Sequence, residues 1–206
     1  MITEELLSAL RSDIENKMSP KRFRHTAEVE KMAARLGELY APEDIMTLRA
    51  AALLHDITKE FPMDRQLMIC ADCGLCISRE DLLAPKTFHA RTAAALIPSL
   101  YPQFAEEKII SAVRWHTTGR RSMSICEKLI YLADYIDMSR TFEDCVRLRE
   151  YFFSAEPEKM LYEERLTHLN QTLIMSFDMT VRGLMEDGTV VSADTFEARN
   201  YLIAET

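Results

Sequence analysis

The chain has 206 residues, with 25 Lys+Arg against 33 Asp+Glu and a formal net charge of −8. Apolar residues make up 48% and charged residues 28%, an ordinary globular balance, and a chain of this length buries roughly 70% of its unfolded surface without disulfide staples. The acidic total weighs against a protein that lives on nucleic-acid phosphates, and no apolar run approaches the ~18–20 residues of a membrane span. Residues 1–17 alternate acidic and apolar side chains and lack the basic flank and apolar core of a secretory signal. Ile2, Leu6, Leu7, Leu10 and Ile14 instead mark one face of a first helix. A second begins near His25-Thr26 and carries Val29, Met32, Ala33, Leu36 and Leu39. Pro42, well placed in a first helical turn, opens a third that is buried through Ile45, Leu48, Ala51, Ala52 and Leu54. Further helices read over 63–72, 78–83, 89–100, 104–115, 124–137, 142–153, 157–185 and 196–204. The one strand-like stretch, 188–192, is too short to define a sheet. The pattern predicts an all-α bundle in one domain.

Five cysteines, an odd number and without a secretory signal, point to a reducing cytoplasm. Cys70, Cys73 and Cys76 form C-x2-C-x2-C, open to a zinc or iron–sulfur reading. A fourth cysteine at suitable spacing is missing, and small buried thiols suit the same helix. The five histidines are His25, His55, His89, His116 and His168, and four of them fall at helix starts or ends beside polar or acidic company. His55-Asp56 ends the apolar run 50–54, so it either turns into solvent or delivers an imidazole and a carboxylate to the interior. A buried carboxylate needs a cation or many donors, and His with Asp suits a borderline metal such as Fe, Mn, Co, Ni or Zn. Asp134 interrupts the apolar helix LIYLADYI in the same way, with a water-facing carboxylate as the alternative. Taken together, His…His-Asp…His…His…Asp is the ligand supply for one or two metals. His168 reads as a packing or surface histidine, with a nucleotide contact as the alternative, and Trp115 reads as core.

His25, the doublet His55-Asp56 and Asp134 match the H…HD…D signature of the HD-domain metal-dependent phosphohydrolases. Arg24-His25-Thr26, LLHDITK over 53–59, His116-Thr117-Thr118-Gly119, LADYI over 132–136 with Arg140 following, and the tail TFEARN over 195–200 resemble the YqeK branch of that family. The resemblance runs from about residue 18 to the C-terminus and implies a single all-α HD domain over 1–206. Its metal-binding core would span about 18–140, with the helices of about 141–206 packed on it.

The resemblance further implies that His25, His55, Asp56 and Asp134 hold one divalent, iron-like metal. His89 and His116 would hold a second, with Asp56 bridging; Mn or Co suits the same donors. Members of the branch hydrolyse dinucleoside tetraphosphates symmetrically, which implies cleavage of diadenosine tetraphosphate to two ADP by a metal-bound hydroxide attacking a bridge phosphorus. Asp56, Lys59 and His116 would be catalytic, and His25, Lys59, His89, Thr117, Thr118, Gly119 and Arg140 would surround the substrate. Lys59 offers a point charge, Arg140 a bidentate fork, and the Thr-Thr-Gly loop hydroxyls and backbone N–H groups. Arg120 and Arg121 make that loop locally basic, where a polyanion would be steered. Another HD-type nucleotide phosphohydrolase (a nucleotidase) and a non-catalytic, metal-containing nucleotide sensor are the alternatives. The expected partners are a dinucleoside polyphosphate or nucleoside diphosphate and a second copy in a homodimer, with neither nucleic acid nor membrane. One departure is Ala90 directly after His89, where many relatives have glycine. Two divalent ions would add about +4 locally, so the acidic total would conceal a cationic pocket.

Overall fold

A computed structural model describes residues 2–205, and among these the chain forms eleven α-helices, four 3-10 turns and no strand. Helix α1 (Glu4–Lys17) starts at Thr3, whose hydroxyl accepts from the N–H of Leu6. Helix α2 (Pro20–Tyr40) starts at Ser19, whose hydroxyl accepts from the N–H of Arg22, with Pro20 in the first turn. The N–H of Ser19 donates to Glu60 at 2.9 Å, tying this helix to the turn after His55. The start at His25-Thr26 expected from sequence is therefore corrected: the Ser19-Pro20 cap opens α2 earlier. His25 lies in its second turn and faces inward.

Helix α3 (Ile45–Leu54) follows a 3-10 turn at Pro42–Asp44. It is buried at Leu48 and from Ala50 through Leu54, as a nearly all-apolar helix at the centre of a bundle should be. The remaining helices are α4 (Met63–Asp72), α5 (Arg79–Leu82), α6 (Phe88–Leu100), α7 (Glu107–Trp115), α8 (Ile125–Ile136), α9 (Glu143–Ser154), α10 (Tyr162–Glu186) and α11 (Ala193–Glu205). Ser124 and Glu127 cap α8 reciprocally. Helix α2 packs on α3 and α8, α7 joins α3, α6 and α8, and α10 carries α9 and α11. One buried apolar cluster extends from Ile2 to Leu202, so the helices after residue 140 share it.

Smaller differences have local causes. Leu6 lies at the solvent edge of α1, while Leu7, Leu10 and Ile14 are buried. Pro102–Phe104 and Pro157–Lys159 form separate 3-10 turns ahead of α7 and α10, because proline opens a turn without supplying an N–H. No described helix is long and apolar enough to cross a membrane.

Candidate metal centre and active site

Five elements converge on one buried spot. Helix α2 supplies His25, the C-terminal end of α3 supplies His55 followed by Asp56, the first turn of α6 supplies His89, the end of α7 supplies His116 and the last turns of α8 supply Asp134. Asp56 stands in the middle. Its Oδ2 lies 3.4 Å from Nε2 of His55 and 3.8 Å from Nε2 of His25. Its Oδ1 lies 3.3 Å from Nε2 of His89 and 3.8 Å from Nε2 of His116. The two carboxylate oxygens thus divide the four imidazoles into two pairs. Oδ1 of Asp134 closes the first pair, 2.9 Å from Nε2 of His25 and 3.9 Å from that of His55.

The imidazoles are oriented from behind. Nδ1 of His55 donates to the carbonyl of Ala52 at 2.6 Å, and Nδ1 of His116 to that of Val113 at 2.7 Å. Each helix therefore uses its own carbonyl three residues back to leave the Nε2 lone pair facing the centre. His25 is held through Nδ1 by the buried Asp137, 3.2 Å away, and by Ser139. Nε2 of His25 and of His55 are buried without an aligned hydrogen-bond partner among the described residues. Buried orphan imidazole nitrogens beside carboxylates fit a cation. Two groups, His25/His55/Asp134 and His55/Asp56/His116, bring their ligand atoms within 4.8 Å of one another.

The electrostatics follow from this crowding. Burial works against ionisation of Asp56, but His55, His89 and Lys59 hold its carboxyl well below the usual carboxylate range. Asp134 is likewise depressed, against its own burial, by Arg140, His25 and His55. Burial also opposes protonation of His25, yet Asp134 and Asp137 carry it up to about 9. Burial and His55 push His116 down to about 4, and burial keeps His89 well below its ordinary value.

Cations ring the centre. Nζ of Lys59 is 3.1 Å from Nε2 of His89, and Nη2 of Arg140 pairs with Oδ1 of Asp134 at 2.5 Å. Arg22, which the sequence reading missed, places Nη1 2.7 Å from Oδ2 of Asp56. Arg22 lies three residues before His25 on the same face of α2, so recognising the Ser19-Pro20 cap would have pointed to it. Asp137 was also missed, although it stands three residues after Asp134.

A cavity of about 510 Å³ opens onto this centre, walled in part by Lys59, Thr117, Thr118, Asp134 and Arg140. His25 and His89 are buried and are not part of that wall. Gly119 is not part of it either; a Cβ there would meet Phe177 and Ala198. Arg120 does not make the loop a free basic patch, because its Nε donates at 2.9 Å to the buried Glu127. Arg121 lies over the ring of Tyr201. His168 packs, stacking on Phe152 and bonding that residue's carbonyl at 3.0 Å. Cys70 is buried while Cys73 and Cys76 are exposed, all as free thiols, and the cysteines join neither metal-competent group among the described residues.

Residues 22–139 match the HD domain family model. The chain is 32% identical over 197 residues to the symmetrical bis(5'-nucleosyl)-tetraphosphatase of Bacillus subtilis, covering 93% of this chain and 94% of that protein. It is 31% identical to the protein of the same name from Staphylococcus aureus, over 71% of this chain and 75% of the other. The crystal structure of a predicted HD superfamily hydrolase involved in NAD metabolism from Clostridium acetobutylicum superposes with a TM-score of 0.84. It shares 32% identity, with 97% of each chain covered.

Proposed function

The chain belongs to the HD domain family, and on that premise we propose that it is a metal-dependent hydrolase that cleaves diadenosine tetraphosphate symmetrically to two ADP. The observation that carries this reading is the Asp56 carboxylate set between two pairs of imidazoles beside a cavity walled by cations and hydroxyls. The names of the relatives supply the substrate. His25, His55, Asp56 and Asp134 would hold one divalent ion, and His89 and His116 a second with Asp56 shared. Ions bound there supply positive charge against phosphate oxygens and an activated water at neutral pH.

The chain's own groups do the rest. Lys59 reaches the cavity from the turn after α3 and donates N–H to a phosphate oxygen. Arg140 is anchored on Asp134 through Nη2 and on that residue's carbonyl through Nε at 3.0 Å, which aims its remaining N–H groups at the cavity. Thr117 adds a hydroxyl donor from the cavity wall, and Thr118, whose hydroxyl donates to the carbonyl of Gly119 at 2.9 Å, lines the wall beside it. Asp137 and Ser139 fix the His25 ring, and the carbonyls of Ala52 and Val113 fix His55 and His116. Asp56, Lys59 and His116 are the groups we place closest to the chemistry.

We further assign iron as the native metal, with Mn or Co as competent substitutes, because mixed imidazole and carboxylate donors suit these borderline ions. A homodimer and a cytoplasmic location complete the reading, and the free thiols, two of them exposed, support a reducing compartment. One domain, with a core over about 18–140 and the later helices packed on it, is supported by the continuous apolar cluster.

Product analysis tests the function. Metal-loaded protein incubated with diadenosine tetraphosphate is expected to release ADP as the sole nucleotide product, and a chelator is expected to stop the reaction. Equimolar ATP and AMP would refute symmetric cleavage. Absence of turnover with metal bound would favour the sensing alternative.

A further inference from the structure

Two cavities meet at Asp134, on the edge of the metal centre. The first, of about 510 Å³, runs from Lys59 and Thr117 outward past Pro85 and Val190. The second, of about 470 Å³, runs from Asp134 along α8, α9 and α10 and reaches Phe142. Lys86, Asp134, Arg140, Thr180 and Leu184 wall both. Two cations, Lys86 and Arg140, therefore stand on the shared wall, where a polyanionic chain passing from one cavity to the other has to run.

A dinucleoside tetraphosphate carries one nucleoside at each end of its phosphate chain. Cleavage at the middle of that chain puts the reacting phosphorus near the shared wall and sends the two nucleosides in different directions. A ligand with one nucleoside needs one cavity only. The second cavity has the features a base requires. Phe142 precedes the first turn of α9 and is 70% exposed, a large aromatic surface left in water on the wall of the cavity that Arg140 also lines. Tyr135 and Met179 add apolar wall, while Asp187 and Asp144, the latter paired with Arg147 at 2.8 Å, line the same cavity and offer carboxylate oxygens to the N–H groups of a purine edge. An aromatic face next to a cationic phosphate path is how proteins hold a splayed nucleotide.

We propose that the groove between α8, α9 and α10 seats the second nucleoside of the substrate, with Phe142 as the ring on which its base stacks. This assignment rests on the hydrolytic reading given above. The test compares wild-type protein with Phe142→Ala and Phe142→Tyr, using two ligands. Diadenosine tetraphosphate is the substrate, and adenosine 5'-tetraphosphate, which lacks the second nucleoside, is the competing ligand whose inhibition constant is measured against it.

Phe142→Ala is expected to raise KM for the dinucleotide about tenfold, within the range measured for base stacking on aromatics, and to leave kcat within about twofold, as loss of uniform binding does. The inhibition constant of the mononucleotide should stay within about threefold of the wild-type value, since it makes no use of that ring. Phe142→Tyr should keep the wild-type KM. An unchanged KM in Phe142→Ala would overturn the assignment, as would equal weakening of both ligands or a change in sedimentation with KM unaltered. If the wild-type protein fails to hydrolyse the dinucleotide at all, the functional reading itself fails; if it turns over while Phe142→Ala is silent, only this inference does.

Discussion

Asp56→Ala is expected to lower hydrolysis of diadenosine tetraphosphate about 1,000-fold or more, equivalent to ~4 kcal/mol of transition-state stabilisation. Metal content should fall with it, from the proposed two ions per chain to one or none, because among the described residues Asp56 alone faces both imidazole pairs. Among the described residues no other carboxylate stands between both pairs: Asp134 lies within 4 Å of His25 and His55 alone among the imidazoles. The helical circular-dichroism spectrum should persist, since α3 is held by Leu48, Leu53 and Leu54, all fully buried, rather than by the residue that follows it. Near-wild-type turnover in this variant would remove Asp56 from the reaction. Reduced turnover with two ions still bound would separate catalysis from ligation.

The second large effect falls on stability. Gly119 has φ of +64°, and a Cβ added there would lie 2.7 Å from Cζ of Phe177 and 3.0 Å from Cβ of Ala198. Phe177 is fully buried and packed on Tyr131 at a ring separation of 4.6 Å, so it has little room to give. Gly119→Ala then combines left-handed backbone strain of roughly 1–2 kcal/mol with overpacking of roughly 1–3 kcal/mol. For a chain of this length a total near 3 kcal/mol lowers Tm by roughly 6–12 °C. Thermal unfolding of Gly119→Ala, Phe177→Leu and the double variant measures it. In the Phe177→Leu background the glycine substitution should cost less, the backbone part of roughly 1–2 kcal/mol plus whatever remains from the contact with Cβ of Ala198. Strict additivity of the two changes would mean that Phe177 is not what the new methyl meets.

These two residues also mark where the sequence speaks and where it is silent. Asp56 is legible because its doublet with His55 closes an apolar helix, and such an end can only go to solvent or to a cation. The all-helical architecture is legible for a similar reason: apolar residues recur at three and four along nearly every segment, and caps such as Ser78 and Ser124 stand at their starts. Gly119 was assigned to phosphate from its motif, but its neighbours are on α10 and α11, more than fifty residues away in the chain, and no local pattern announces them. Arg120 was read as free charge because its partner Glu127 looks like an ordinary capping residue of α8; the structure buries that carboxylate and gives it Ser111 as well. Arg22 is not legible as long as α2 is read from His25, since it then lies outside the helix. Once the helix begins at Pro20, Arg22 and His25 fall one turn apart on one face. What escapes the sequence is thus tertiary pairing and one helix cap, while the convergence of the candidate ligands depends on neither.

The most direct test of the account is an anomalous difference map from crystals of the manganese- or iron-loaded protein. Two peaks are expected at Asp56, one on the Oδ2 side among His25, His55 and Asp134, the other on the Oδ1 side beside His89 and His116. No peak at Asp56, or a single peak bound only by Asp134 and one imidazole, would contradict it.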